Sequence, residues 1–329
     1  MQRLAAIALV LAAATVAASC GAKRAEPPAG RFLVYTRQLT RGTPSLWLAR
    51  PDGTHARLLV RGAIFGALSP DGRWIVYARR GAESTLFLVS TSGGKPRLLA
   101  RSASYPTWSP RSDRILALRG NTLLSLDLDG HLRVIDQGPA IPGWSFSPDG
   151  RWIVYAKSPK HTECGGDLFV ESANGGEERQ LTHGRDMFPV WGPHWIAFSR
   201  FPKSCAYARR IWRIRPDGSG ARPVTAPPPR RFASSGYYGL DPIDWAADER
   251  VLLAGIASEW GPVAIRVDVA TGAFRKLSGY ALDLSRDGRF ALVDSGGAEG
   301  PQKLAAVAMA DGRSHTLAYG DVAYPSWNR

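Results

Sequence analysis

Ser69-Pro70-Asp71-Gly72-Arg73-Trp74-Ile75-Val76-Tyr77-Ala78 recurs letter for letter at residues 147–156. These are the two clearest copies of a unit that runs through the chain. One of its columns places a small residue after an apolar one, at Ser69, Ser109, Ser147, Gly192, Ala246, Ser285 and Asn328, with spacings of 40, 38, 45, 54, 39 and 43 residues. Self-similarity at this period, with several short strands in each, points to a β-propeller built of one blade per repeat.

Each unit has four parts. An apolar strand ends at the column, with Trp108, Phe146, Trp191, Trp245 and Trp327 just before it. A tight turn follows, Pro-Asp-Gly in its clearest form, because Pro presets φ and Gly accepts positive φ. A β-branched and aromatic strand comes next, as in Trp74 to Tyr77 and Trp152 to Tyr155. A third strand, a Gly-containing turn such as Ser92-Gly93-Gly94 or Asn174-Gly175-Gly176, and a fourth strand complete the unit. Turn signals every 8–12 residues are an all-β pattern, and no helical periodicity appears after residue 30.

The ends of the repeat region complete the count. Arg31 to Tyr35 match a second strand with no first strand before them, and Asp321 to Trp327 match a first strand with nothing after it. The expected fold is therefore an all-β propeller of about seven four-stranded blades, with the C-terminal strand closing the ring on the N-terminal blade. Closure of this kind removes sheet edges that would otherwise pair with other chains.

Residues 1–19 read as an export signal: Arg3, an apolar stretch from Leu4 to Ala18, then small residues before Cys20. That run is too short for a comfortable membrane span. Ala18-Ser19-Cys20 resembles a bacterial lipobox, in which Cys20 becomes the lipidated N-terminus. An ordinary signal peptide, cleaved nearby, is the alternative. Residues 20–30 read as lipidated Cys and tether, and 31–329 as the propeller domain. The expected location is the cell envelope, at the outer face of the cytoplasmic membrane or in the periplasm. Two further cysteines, Cys164 and Cys205, fall in second-to-third-strand loops of consecutive repeats, and an even pair in an oxidising compartment suggests a disulfide.

The net charge of +14 has a structural source, since Arg31, Arg73, Arg114, Arg151, Arg250 and Arg289 open second strands, most with an Asp one or two positions away. Such turn pairs are solvated and individually weak. With export, they argue against nucleic acid, while a basic surface still suits anionic lipids or cell-wall polymers. The recurring Asp residues belong to turns, and no GxSxG elbow, HExxH, P-loop or dinucleotide fingerprint is present. Cysteine and histidine spacing fits no metal site, and no cofactor is expected. The sharpest enzymatic alternative, a lyase or hydrolase site at the channel mouth, would draw on His161, Glu163, Asp241, Asp244 and Glu259.

Leu68-Ser69-Pro70-Asp71-Gly72, Trp108-Ser109-Pro110 and Phe146-Ser147-Pro148-Asp149-Gly150, with weaker copies to Trp327, resemble the WD40-like repeat of TolB-type propellers across residues 31–329. The resemblance implies the propeller fold and is weak for activity, because similar blades precede the catalytic domain of prolyl-oligopeptidase-like enzymes. TolB carries six blades and an N-terminal α/β domain, whereas this chain shows about seven repeats and a tether.

These readings together predict a binding or scaffold module whose partner is an envelope protein or an anionic polymer. Loop lengths place its working surface on the face of the second-to-third-strand loops and blade-to-blade connections. The extended connection Pro227 to Asp241 carries Arg230, Arg231, Phe232, Tyr237 and Tyr238, and the next loop carries Glu259 and Trp260. Insertions in repeat proteins map to binding faces, and exposed aromatics beside Arg are favoured anchors.

Overall fold

A computed structural model describes residues 31–37, 43–79, 84–138, 143–158, 165–203, 208–227, 239–257, 262–285, 287–294, 303–320 and 322–327. The repeats fold as blades in chain order. The first holds β1 (Leu33–Arg37), β2 (Ser45–Ala49) and β3 (Arg57–Arg61); the second holds β4 (Ala63–Leu68), β5 (Trp74–Arg79), β6 (Thr85–Ser90) and β7 (Arg97–Ala100). The third runs from β8 (Ser104–Trp108) through β9 (Arg114–Arg119) and β10 (Thr122–Asp127) to β11 (Leu132–Gln137). The fourth comprises β12 (Trp144–Phe146), β13 (Trp152–Lys157), β14 (Asp167–Ser172) and β15 (Arg179–Gln180). The fifth comprises β16 (Asp186–Trp191), β17 (Ile196–Arg200), β18 (Arg210–Ile214) and β19 (Arg222–Pro223).

The last strands are β20 (Gly239–Trp245), β21 (Val251–Ala257), β22 (Val263–Asp268), β23 (Phe274–Leu284), β24 (Phe290–Asp294), β25 (Lys303–Ala308), β26 (Ser314–Tyr319) and β27 (Val322–Trp327). Among the described residues five antiparallel sheets are four-stranded, and one seven-stranded sheet runs β20 to β26. Within it β23 pairs with β22 through Phe274–Lys276 and with β24 through Tyr280–Leu284, so it is the outer strand of the sixth blade and the inner strand of the seventh. Five sheets plus these two fused blades make seven.

The recurring turn builds itself from its own side chains. Ser69 Oγ donates to Asp71 Oδ1 at 2.6 Å and accepts from the Trp74 amide at 2.9 Å, while Asp71 Oδ1 also accepts from the Arg73 amide. Gly72 turns the chain at a φ of 72°. Ser147 with Asp149 and Ser285 with Asp287 repeat the arrangement. The small-residue column is thus, at these positions, a buried hydroxyl that ties the turn to the second strand. The Ser147 hydrogen bond, with the Arg151 amide, holds the Asp149 carboxyl below the usual range.

Blade sheets are buried on both faces, which explains why second strands read as unbroken apolar runs. Ile75 and Tyr77 pack toward Leu46 and Leu48 of the first blade, whereas Val76 and Ala78 pack toward Ile115 and Ala117 of the third. Successive residues thus fill opposite seams, as a period of two requires.

The ring closes as the sequence predicts. β27 pairs antiparallel with β1, Leu33 opposite Trp327 and Arg37 opposite Val322. Trp327 is 1% exposed and packs with Leu33, Tyr35, Leu292 and Leu304 across the seam between the seventh and first blades. Its amide donates to Asp283 Oδ2 at 3.1 Å. One detail of the turn pairs differs from expectation: Asp113 pairs with Arg111 rather than Arg114. The turn has the same length, but its carboxylate stands four residues after Ser109 instead of two and accepts from Ser109 Oγ from there.

Candidate functional site

The inner strands share a sequence feature that loop lengths conceal. Tyr105-Pro106-Thr107-Trp108, Phe188-Pro189-Val190-Trp191 and Tyr324-Pro325-Ser326-Trp327 place an aromatic, a Pro, any residue and a Trp at the same point of three blades. A Pro removes a ladder donor, so each strand bulges where the Pro falls. Register shifts occur there in β8 and β16, and equivalent shifts occur in β4, β20 and β23. At two bulges the aromatic itself takes a left-handed conformation, Tyr105 at φ 54° and Phe188 at φ 52°. A bulky side chain there is strained. Tyr105 is nevertheless 62% exposed and Phe188 38% exposed.

Between these strands lies a cavity of about 480 Å³ in the central channel. Its wall comes from inner strands of five blades, led by Phe65, Tyr105, Pro106, Trp144, Pro325 and Trp327, and it reaches the turn face at Pro70. The Phe65 and Tyr105 rings stand 6.2 Å apart and tilted. Most indole N–H groups of the wall and its neighbours are committed to the framework: Trp108 Nε1 donates to Ala67 O, Trp144 Nε1 to Thr107 Oγ1, and Trp245 Nε1 to Val190 O. Asp283, the wall's carboxylate, accepts from the Leu284 and Trp327 amides and so ties the seventh blade to the first. The cavity offers apolar contact and aromatic edges, a surface suited to binding.

The blade ends away from the recurring turns carry charge. Arg37, Arg79, Arg119, Lys157 and Arg200 end the second strands of blades one to five. Several lie on aromatic rings, Arg79 4.9 Å from the Phe87 centroid and Arg200 4.6 Å from that of Trp212. In the fifth blade the residue paired with the cation is Asp186, 0% exposed, and it binds Arg200 through Nε at 2.6 Å and Nη2 at 2.7 Å. In the second and first blades the paired residues are Ala63 and Val322.

Lys157 instead bridges Asp136 at 2.7 Å and Glu178 at 3.3 Å across the seam between blades three and four. There Tyr155 donates to Glu178, and burial together with that carboxylate pushes its hydroxyl far up. Glu171 bonds Arg133 at 2.9 Å, yet burial raises its carboxyl above the usual value.

The residues chosen from sequence fare unevenly. Arg230, Arg231, Phe232, Tyr237, Tyr238, Glu259 and Trp260 lie outside the described residues, as do Cys20, Cys164, Cys205, His161 and Glu163. Asp241 is described and engaged: Arg209 grips both its oxygens at 2.6 Å and Ser199 Oγ donates to it at 2.7 Å. Asp244 accepts from the Trp245 amide. Both carboxylates of the enzymatic alternative that are described thus hold the framework. Among the described residues one group of three metal-capable side chains converges, Asp127, Asp129 and His131. It sits on an exposed hairpin whose turn hydrogen bonds account for it.

No family model matches the chain, and no curated protein does. Solved structures match it widely. TolB from Acinetobacter baumannii is 17% identical with a TM-score of 0.56, covering 90% of this chain and 82% of that one. An oligogalacturonate lyase solved with manganese is 17% identical with a TM-score of 0.61, covering 89% and 86%. The β-propeller domain of the Trilobed protease from Pyrococcus furiosus, described as having an open velcro topology, is 13% identical with a TM-score of 0.63, covering 89% and 97%. Likeness at such identity shows the fold alone: the chain is an all-β propeller, the fold it shares with these solved structures.

Proposed function

We propose that the chain is an exported, membrane-anchored binding module of the cell envelope, whose central channel receives an apolar segment of a protein partner. The observation that carries this reading is the channel cavity, walled by Phe65, Tyr105 and Trp144 and presenting Tyr105 on a strained backbone. Strain kept at an exposed aromatic suits a residue held for contact rather than for stability. A binding role is favoured over catalysis because Asp241, Asp244 and Asp283 are each engaged in holding strands together. The loops bearing Arg230, Tyr237 and Trp260, expected from the sequence to carry contacts, belong to the same reading. The Ala18-Ser19-Cys20 stretch supports export and anchoring.

The test replaces Tyr105 with Gly, which removes the ring and suits the positive φ. Partner recovered by cross-linking and co-purification from envelope fractions should fall at least severalfold, with the melting temperature unchanged or raised. Undiminished recovery moves the site away from the channel.

A further inference from the structure

Outer strands carry a second repeated column, at Arg57, Arg97, Arg133, Arg179, Arg222, Arg275 and His315. Each is paired with the equivalent third-strand residue of its blade. Five of the six Arg residues reach forward and stitch their blade to the next. Arg57 donates to Thr91 O, Arg97 to Leu128 O and Arg179 to Asp217 O. Arg133 bonds Glu171, and Arg275 donates to Met309 O at 3.0 Å. Arg222 departs from the pattern. It turns back onto its own blade and lies 5.4 Å from the Trp195 ring centroid.

Two more guanidiniums share that ring, Arg213 at 4.4 Å and Arg215 at 5.3 Å. Arg213 stands where blades one, two and four have Leu48, Leu88 and Val170, and it is directly opposite Arg222 across the strands. Like charges so placed repel. No salt bridge to any of the three is found among the described residues. Burial and the facing Arg222 both lower the Arg213 pKa. The nearby Glu249 is engaged by the His194 and Trp195 amides and by His194 Nδ1. Arg215 and Arg222 are exposed, so the cluster is open to solvent.

We propose that Arg213, Arg215 and Arg222, gathered on Trp195, form an oxyanion site for a phosphate group. Guanidinium forks match phosphate oxygens, and a charged ligand relieves the repulsion that Glu249 offsets only in part. The register places Trp195 on the face of the recurring turns, where Arg31 also opens β1. On the exported reading the tether joins the propeller at that face, which would present the cluster to anionic headgroups. The site itself stands without that reading.

The test uses the full chain carrying Cys20→Ala, so that no lipid anchor contributes, and follows the Trp195 indole N–H, assigned with Trp195→Phe, by nuclear magnetic resonance. Titration with inorganic phosphate should shift it saturably, and chloride at matched ionic strength should not. Arg213→Gln with Arg222→Gln should weaken the binding about tenfold or more, with an unchanged or higher melting temperature. No saturable shift, or an affinity unaltered in the double variant, overturns the proposal and leaves a structural Arg–Trp stack. Vesicles of phosphatidylglycerol and of phosphatidylcholine separate the sources. Binding to the first alone, weakened by the double variant, identifies a lipid phosphate. Phosphate binding without vesicle discrimination identifies a soluble phosphate compound.

Discussion

At the scale of single residues, the turn chemistry explains why Ser recurs in the column. Ser69→Ala leaves the half-buried Trp74 amide without its side-chain acceptor and Asp71 without one of its donors. Such losses cost about 1–3 kcal/mol, readable as a lower denaturant midpoint, whereas the same change at an exposed serine should be near neutral. Glu171 offers a pH test. Its folded pKa is raised by burial, so its contribution is fully present below the unfolded carboxylate range and is lost as pH rises through the folded value. The stability of the native chain relative to Glu171→Gln should therefore fall as pH climbs from about 4.5. A difference independent of pH would show that Arg133 compensates the charge fully. The turn carboxylates were legible because their partners lie within five residues, whereas the column reads only as a small residue and its hydroxyl role was not. The pairs Arg209–Asp241 and Trp327–Asp283 were not, because each joins strands of different blades.

At the scale of elements, the strand order was legible because apolar runs, Pro-Asp-Gly turns and the split ends all agree. The fused β23 was not, since no Pro or Gly-rich break marks the passage from sixth to seventh blade beyond Gly279. The aromatic-Pro-x-Trp repeat was present in the sequence, yet its consequence depends on a bulge that places Tyr105 in the channel. Closure can be tested at this scale. Truncating buried Trp327 to Ala should cost about 3–5 kcal/mol. Deleting residues 321–329 should go further and expose the β1 edge, giving aggregation or a sharply lower melting temperature. An unchanged melting curve after the deletion would contradict the pairing of β27 with β1.

For the molecule as a whole, the blades are joined by apolar packing at their seams, and specificity then rests on what the channel and loops present. The architecture was readable from periodicity. The channel cavity was not, because it arises from inner strands of five blades brought together only by ring closure. Attachment is testable at this scale: the chain should partition into detergent as a lipid-modified species, and Cys20→Ala should release or misprocess it. A soluble chain cleaved at another residue would contradict anchoring.

The most direct measurement places a photo-cross-linking residue at position 105 in envelope-located protein, with position 319 as control. Tyr319 is 67% exposed on the outer strand β26, away from the channel. The account predicts one discrete protein adduct from position 105 and none from position 319. No adduct from the channel, or the same adducts from both positions, would contradict it.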